Sequence, residues 1–313
     1  MAPQLGYLLP TRERIMEGHD AAAPLLRLAD RAEALGYDSV WVGDSLLARP
    51  RHEPLALLAA VAGRTSRVLL GTAVMLPALR NPVLLAHQAA TLDQISEGRF
   101  ILGVGIATDV ANIRAEFLAC GVPFEQRGAR MMEGLRLCQA FWRGAPVTWT
   151  GRWTVTDATI GPRPHRPGGP PIWLAGSGPL ARARIGRALD GWFPNDCDPA
   201  RWRERRAEID AEARAAGRDP AAITGAMYLT LTLDDEPARA EARLNDYMER
   251  YYKQPAVAMR RRQASYAGSA AGAAAWLAAF AEAGAQHLVL RFAGDHERHL
   301  ETIARLRQDL GWN

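Results

Sequence analysis

Lysine is all but missing from this chain: among 313 residues there is one, Lys253. A Schiff-base aldolase needs a lysine amine in its site, so that chemistry is disfavoured from the outset. Cysteine is scarce as well. Cys120, Cys138 and Cys197 are widely spaced and form no C-x-x-C pair, which offers neither a disulfide framework nor a thiolate metal site and fits a reducing compartment. No uncharged apolar run reaches the roughly 18 residues that a membrane helix requires. The first ten residues lack a basic segment followed by an apolar core, so a cytoplasmic protein is expected, with no membrane partner. Clustered histidines and carboxylates are absent too, and the first strand carries no H-x-H, which argues against a metal-dependent hydrolase and leaves no metal ligands to name.

What the chain does have is arginine and alternation. The 38 basic residues nearly balance 34 acidic ones, leaving a formal charge of +4. Runs at Arg201–Arg206 and at Arg260, Arg261 and Arg262 have helix-like surroundings without aromatic platforms, so they read as solvated helix faces and no nucleic-acid partner is expected. Short apolar runs at residues 5–9, 39–42, 68–74, 100–104, 171–175, 191–193, 226–232 and 287–291 alternate with longer helical patterns. Eight strands in this rhythm predict a (β/α)₈ TIM barrel, an α/β fold with insertions, formed by residues 1–313 as a single domain. Two regions break the rhythm. Residues 144–169 read as an insertion built on a hairpin around Thr150-Gly151. Residues 248–268, with Tyr251, Tyr252 and Pro255, read as a mobile lid near the mouth.

Active sites of such barrels lie at the C-terminal strand ends. Those ends read Asp44-Ser45, Ala73-Val74, Gly105-Ile106, Gly176-Ser177-Gly178 and Arg291, a set poor in nucleophiles and acids, so a borrowed cofactor is expected to carry the chemistry. Gly176-Ser177-Gly178, between a strand and a helix, suits a phosphate: small residues permit close approach, free amides point outward and Ser177 adds a hydroxyl, although a plain turn uses the same residues. Gly71 to Pro77 and Gly98 to Gly105 leave room for a flat ring against the backbone, with simple barrel packing as the alternative.

Taken in order, Leu35-Gly36-Tyr37-Asp38-Ser39-Val40-Trp41-Val42, Leu70-Gly71-Thr72-Ala73-Val74 with Arg80-Asn81-Pro82, and Leu92-Asp93-Gln94-Ile95-Ser96-Glu97-Gly98-Arg99-Phe100 resemble the bacterial luciferase-like superfamily of flavin- and deazaflavin-dependent oxidoreductases. Leu102-Gly103-Val104-Gly105, Gly121-Val122-Pro123-Phe124 and Asp190-Gly191-Trp192 extend the likeness over nearly the whole chain. The resemblance implies a ring at the barrel mouth against a cis Ala73–Val74 peptide, beside Gly105 and Ile106, with its phosphate at Gly176, Ser177 and Gly178. It also implies a homodimer.

Where many relatives place an acidic or polar residue followed by histidine, this chain has Asp44-Ser45. The catalytic candidates are therefore Asp44, Ser45 and His52, the last able to substitute if its loop folds inward. Trp192 and Arg291 are the candidate substrate contacts, with an Arg291–Asp295 ion pair as the plainer role for the arginine. The leading expectation is a monooxygenase using reduced FMN and O₂ on a small organic substrate, supplied by a separate flavin reductase. The alternatives are a deazaflavin (coenzyme F420) hydride-transfer oxidoreductase and a flavin-binding protein that has lost catalysis.

Overall fold

The computed structural model describes residues 2–312. Eight parallel strands close on themselves: β1 Gln4–Leu8, β2 Ser39–Val42, β3 Leu69–Thr72, β4 Phe100–Val104, β5 Ile172–Leu174, β6 Gly191–Trp192, β7 Thr224–Leu233 and β8 His287–Phe292. Each pairs with the next, and β8 returns to β1 in register from Gln4 opposite His287 to Tyr7 opposite Leu290. The expected TIM barrel is present, with every expected strand in place.

Alternation along the strands sorts the side chains into two cores. Leu8, Trp41, Ile101, Trp173, Phe193, Ala226 and Val289 fill the barrel interior, whereas Tyr7, Val40, Val42, Leu70 and Leu290 face the helices outside. Glycine makes the inner layer possible: a Cβ on Gly71 would lie 2.1 Å from the Trp41 ring. A buried polar thread crosses the same layer, where Ser39 Oγ lies 2.6 Å from His287 Nε2 and accepts the Trp41 indole N–H at 2.7 Å. Proline opens many of the outer helices, at Pro54, Pro82, Pro179, Pro199 and Pro237, where its missing N–H costs no intrahelical bond.

Residues 144–169 contain the expected hairpin, Val147–Thr150 against Thr154–Ala158. Residues 248–268 are more regular than expected. Helix Pro237–Tyr252 ends with Lys253 in the left-handed region, a short helix Ala256–Arg260 follows, and Ser265–Gly268 pairs in parallel with Thr230–Leu233 of β7. This segment wedges into the barrel wall. The Ala264 amide donates to the Asn195 carbonyl at 2.7 Å, and the Ala264 carbonyl accepts the Thr230 amide at 3.2 Å, while β6 touches β7 only at Thr224 and Gly225. Among the described residues no helix is long and apolar enough to cross a membrane.

Candidate active site

The strand ends and the 248–268 segment enclose a cavity of about 370 Å³ at the C-terminal mouth. Ala73, Val74, Gly105, Ile106 and Gly176, all expected at the cofactor, line it. The Ala73–Val74 peptide is cis. The bulge it forms is laced to its neighbours: Ala73 N–H donates to Val42 at 2.8 Å, Met75 N–H to Gly103 at 2.8 Å, and Gly105 N–H to Met75 at 2.9 Å. A Cβ on Gly105 would stand 2.7 Å from Val74 Cγ2, so glycine keeps this wall flat enough for a planar group.

Ser177 and Gly178 follow Gly176 in the chain but are not among the residues lining the cavity. Gly176 has a φ of +121°, open to glycine alone, and Gly178 begins helix Pro179–Ala188 with no side-chain cap. The helix start therefore presents amides to an anion. Cations stand beside it: Arg182 donates to the Ser177 carbonyl, and Arg205 Nη1 reaches Asp196 Oδ2 and Cys197 Sγ, each at 3.1 Å. The Ser177 hydroxyl donates to Asp196, so in this structure a carboxylate already holds that donor. Burial pushes the Cys197 thiol up to about 11 and the Cys138 thiol to about 12, which leaves both as unreactive packing groups.

Asp44 and Ser45 line the cavity as buttresses. Both Asp44 oxygens bind Arg80, and one also accepts the Leu76 amide at 2.9 Å. Ser45 Oγ donates to Glu116 Oε1 at 2.9 Å and accepts the Arg49 amide at 3.0 Å. His52 is not at the mouth. Its Nε2 lies 2.9 Å from the Asp20 carbonyl on the barrel flank, because the loop folds inward with Arg49 and Arg51 instead. Gly43 permits that fold, since a Cβ there would meet Arg51 Nη1 at 2.0 Å.

Trp192 also lies off the cavity wall. It is fully buried against Trp202, and its indole N–H donates to the Gly176 carbonyl at 3.0 Å, bracing the turn from behind. The next residue, Phe193, points inward and takes the wall position. Arg291 does face the cavity, 2% exposed, without the alternative ion pair, since Asp295 caps helix His296–Asp309. It donates to Tyr252 Oη at 2.8 Å, Thr230 Oγ1 at 3.0 Å and Gln263 Oε1 at 3.1 Å, within a cage of Tyr228, Tyr247, Tyr251 and Tyr252.

Two features escaped the sequence reading. Helix Ala111–Ala119 carries Glu116, fully buried in the cavity wall, with Oε1 taking Ser45 and the amides of Leu46 and Leu47 while Oε2 has no partner. The available signal was an acid on the stripe of Ile113 and Phe117. The second feature is cationic: Arg49, Arg51, Arg262 and Arg291 all line the cavity, and among the described residues none of them forms an ion pair with a carboxylate. Asp44 is neutralised by Arg80, so Glu116 is the remaining counter-charge. The cavity therefore favours anions.

The sequence profile of the luciferase-like monooxygenases matches residues 3–313. The chain belongs to that family. Among curated relatives of this luciferase-like oxidoreductase, the F420-dependent glucose-6-phosphate dehydrogenase of Kineococcus radiotolerans is 35% identical, across 70% of this chain and 67% of its own length. That of Amycolatopsis mediterranei is 38% identical across 54% and 52%. The chain thus spans about half to two thirds of these relatives' length. In fold it resembles an F420-dependent secondary alcohol dehydrogenase solved with an F420–acetone adduct (TM-score 0.85, 22% identity, 99% of both chains) and the monooxygenase RslO1 of Streptomyces bottropensis (0.81, 24%, 98% of both).

The relatives overturn the expectation of reduced FMN and O₂, because those that are 35% and 38% identical over the aligned segments are named for F420 and for dehydrogenation. The reason for the miss is physical. Flavin and deazaflavin rings differ at one ring atom, and glycines that flatten a wall do not discriminate between them.

Proposed function

We infer that this family member is a deazaflavin (F420)-dependent dehydrogenase acting on a small anionic alcohol, with residues 1–313 working as one barrel unit. The carrying observation is the arginine-lined mouth beside a flat, glycine-walled shelf, in a chain related to F420-dependent dehydrogenases. The residues fit the group. Ala73, Val74, Gly105 and Ile106 would hold the ring, and Gly176, Ser177 and Gly178 its phosphate, with Arg182 and Arg205 adding charge after Asp196 releases Ser177.

The bound deazaflavin supplies a two-electron hydride acceptor. Everything else falls to the chain. Arg291 and its neighbours Arg49, Arg51 and Arg262 orient the anionic end of the substrate, and the phosphate of glucose 6-phosphate, the relatives' named substrate, has the chemistry they would take. Phe193 and Met259 line the cavity with apolar surface. Asp44, fixed by Arg80, holds the bulge, and Glu116 fixes the loop from Ser45 to Leu47. A dehydrogenase of this kind has no need of the flavin reductase expected with FMN.

The test is a fluorescence titration of the protein with F420, followed by F420 reduction in the presence of glucose 6-phosphate and other phosphorylated or carboxylated alcohols. Saturable binding and turnover on an anionic alcohol support the proposal; absence of F420 binding overturns it.

A further inference from the structure

The mouth cavity is not the only hollow that reaches the tyrosine cage. A second one, of about 520 Å³, opens on the far side between helix Thr11–Met16, helix Pro237–Tyr252 and the start of helix His296–Asp309, walled by Glu13, Arg14, Arg243, Asp246 and His296. Among the described residues Tyr251 alone lines both cavities.

The protons of Tyr247 and Tyr252 are accounted for. Tyr247 donates to Glu13 Oε1, and Tyr252 donates to Gln263 Oε1 at 3.1 Å while accepting from Arg291. Tyr251 differs: its oxygen accepts from Arg51 Nη2 at 3.2 Å, and its own O–H meets no acceptor among the described residues. Three guanidiniums face it from three elements, Arg51 from the loop after β2, Arg12 at 4.4 Å from the ring centre and Arg291 at 4.7 Å. The other groups around it are Tyr228, Tyr247, Tyr252 and one carboxylate, Glu13, to which Tyr247 is already bonded. Burial by itself would keep the phenol protonated, yet Arg51, Arg291 and Arg12 outweigh both burial and Glu13 and bring the Tyr251 hydroxyl below its ordinary value. Such a group suits general-base work, and Ser45 and His52 are both otherwise engaged.

We propose that Tyr251 is the general base of the reaction, taking the hydroxyl proton of the substrate alcohol in the mouth cavity and releasing it to water through the second cavity. This rests on the dehydrogenase reading above. The substrate O–H bond breaks toward Tyr251 Oη as the C–H hydrogen leaves with its electron pair for the oxidised deazaflavin, and a C=O bond remains. The substrate loses two electrons and two hydrogens; the acceptor takes the hydride and Tyr251 the proton.

The test begins without cofactor, by ultraviolet difference titration of tyrosinate in the wild type, Tyr251→Phe and Arg51→Gln. One tyrosinate is expected to form at lower pH than the rest, to vanish in Y251F and to form at higher pH in R51Q. With F420 and glucose 6-phosphate, Y251F is expected to lose about 100-fold or more in kcat, the usual worth of a general base, with F420 affinity unchanged. In the wild type kcat rises with pH as Tyr251 ionises, and Glu116→Gln retains that limb. An identical low-pH tyrosinate in Y251F overturns the proposal, as does a pH limb that survives Y251F or disappears in E116Q. Failure of the wild type to bind F420 overturns the cofactor reading instead, whereas normal binding with an unaffected Y251F overturns the base alone.

Discussion

Arg80 grips Asp44 with both arms of its guanidinium, at 2.5 and 3.0 Å, and the Asp44 side chain is only 2% exposed. Because the same carboxylate holds the Leu76 amide, this pair ties the end of β2 to the chain leaving the Ala73–Val74 bulge. Arg80→Gln strands a buried carboxylate, and breaking a buried pair this way costs about 3–5 kcal/mol. Urea unfolding is expected to show a lowered midpoint with an unchanged slope, and an unaltered midpoint would show that the pair contributes little.

Gly105 tests the ring's seat. Valine there places a Cβ 2.7 Å from Val74 Cγ2 and must push the bulge away or project into the cavity. F420 affinity is expected to fall by at least about tenfold, or roughly 1.4 kcal/mol, with the circular dichroism of the barrel retained. Unchanged affinity would move the ring elsewhere.

Arg291→Met removes a deeply buried cation of the cavity without orphaning an acid. The loss of a buried charge contact to a substrate anion is worth about 2 kcal/mol or more, roughly thirtyfold in KM for glucose 6-phosphate. Above the pH at which Tyr251 ionises the turnover number is expected to change far less, since an anchor for the anionic end holds ground and transition states alike. Below that pH it falls as well, because the guanidinium also favours the Tyr251 phenolate. An unchanged KM would show that Arg291 does not hold the anion.

Two histidines set an acid limit on stability. Burial depresses His287 to about 3, and it does the same to His296, also to about 3, against an unfolded value near 6.5. Between those values the unfolded chain binds protons that the folded one refuses, so stability present above about pH 6.5 is lost as pH falls toward 3, at up to about 1.4 kcal/mol per pH unit for each histidine. Denaturation across that range should show this decline, and His287→Gln should remove its share of the slope. Parallel wild-type and variant curves would contradict the assignment.

The barrel was legible because its strands are short β-branched or leucine-rich runs buried on both faces, and because Gly36, Gly98 and their kind mark where helices stop. The wall of the mouth cavity was legible for the related reason that small residues leave a strand end open, and Ala73, Val74, Gly105 and Gly176, which line it, are small or strand-terminal. Arg49, Arg51 and Tyr251 were not, because their meeting depends on a loop after β2 and a helix after β7 that lie about 200 residues apart in sequence. His52 and Trp192 misled for a single reason. A residue in a loop or at a strand end can face either way, and in both cases its neighbour, Arg51 or Phe193, took the inward position.

The wedge at Ala264 divides labour between main chain and side chains. Its bonds to Asn195 and Thr230 come from peptide groups and so persist whatever side chains the roof carries. Met259, Arg262 and Gln263 can be exchanged for other residues while the roof stays fastened to the wall, as a cassette is exchanged in a fixed housing. The lining of the cavity can accordingly change through a few replacements between positions 254 and 263, with the eight-stranded chassis and the glycine-walled side of the cavity left as they are.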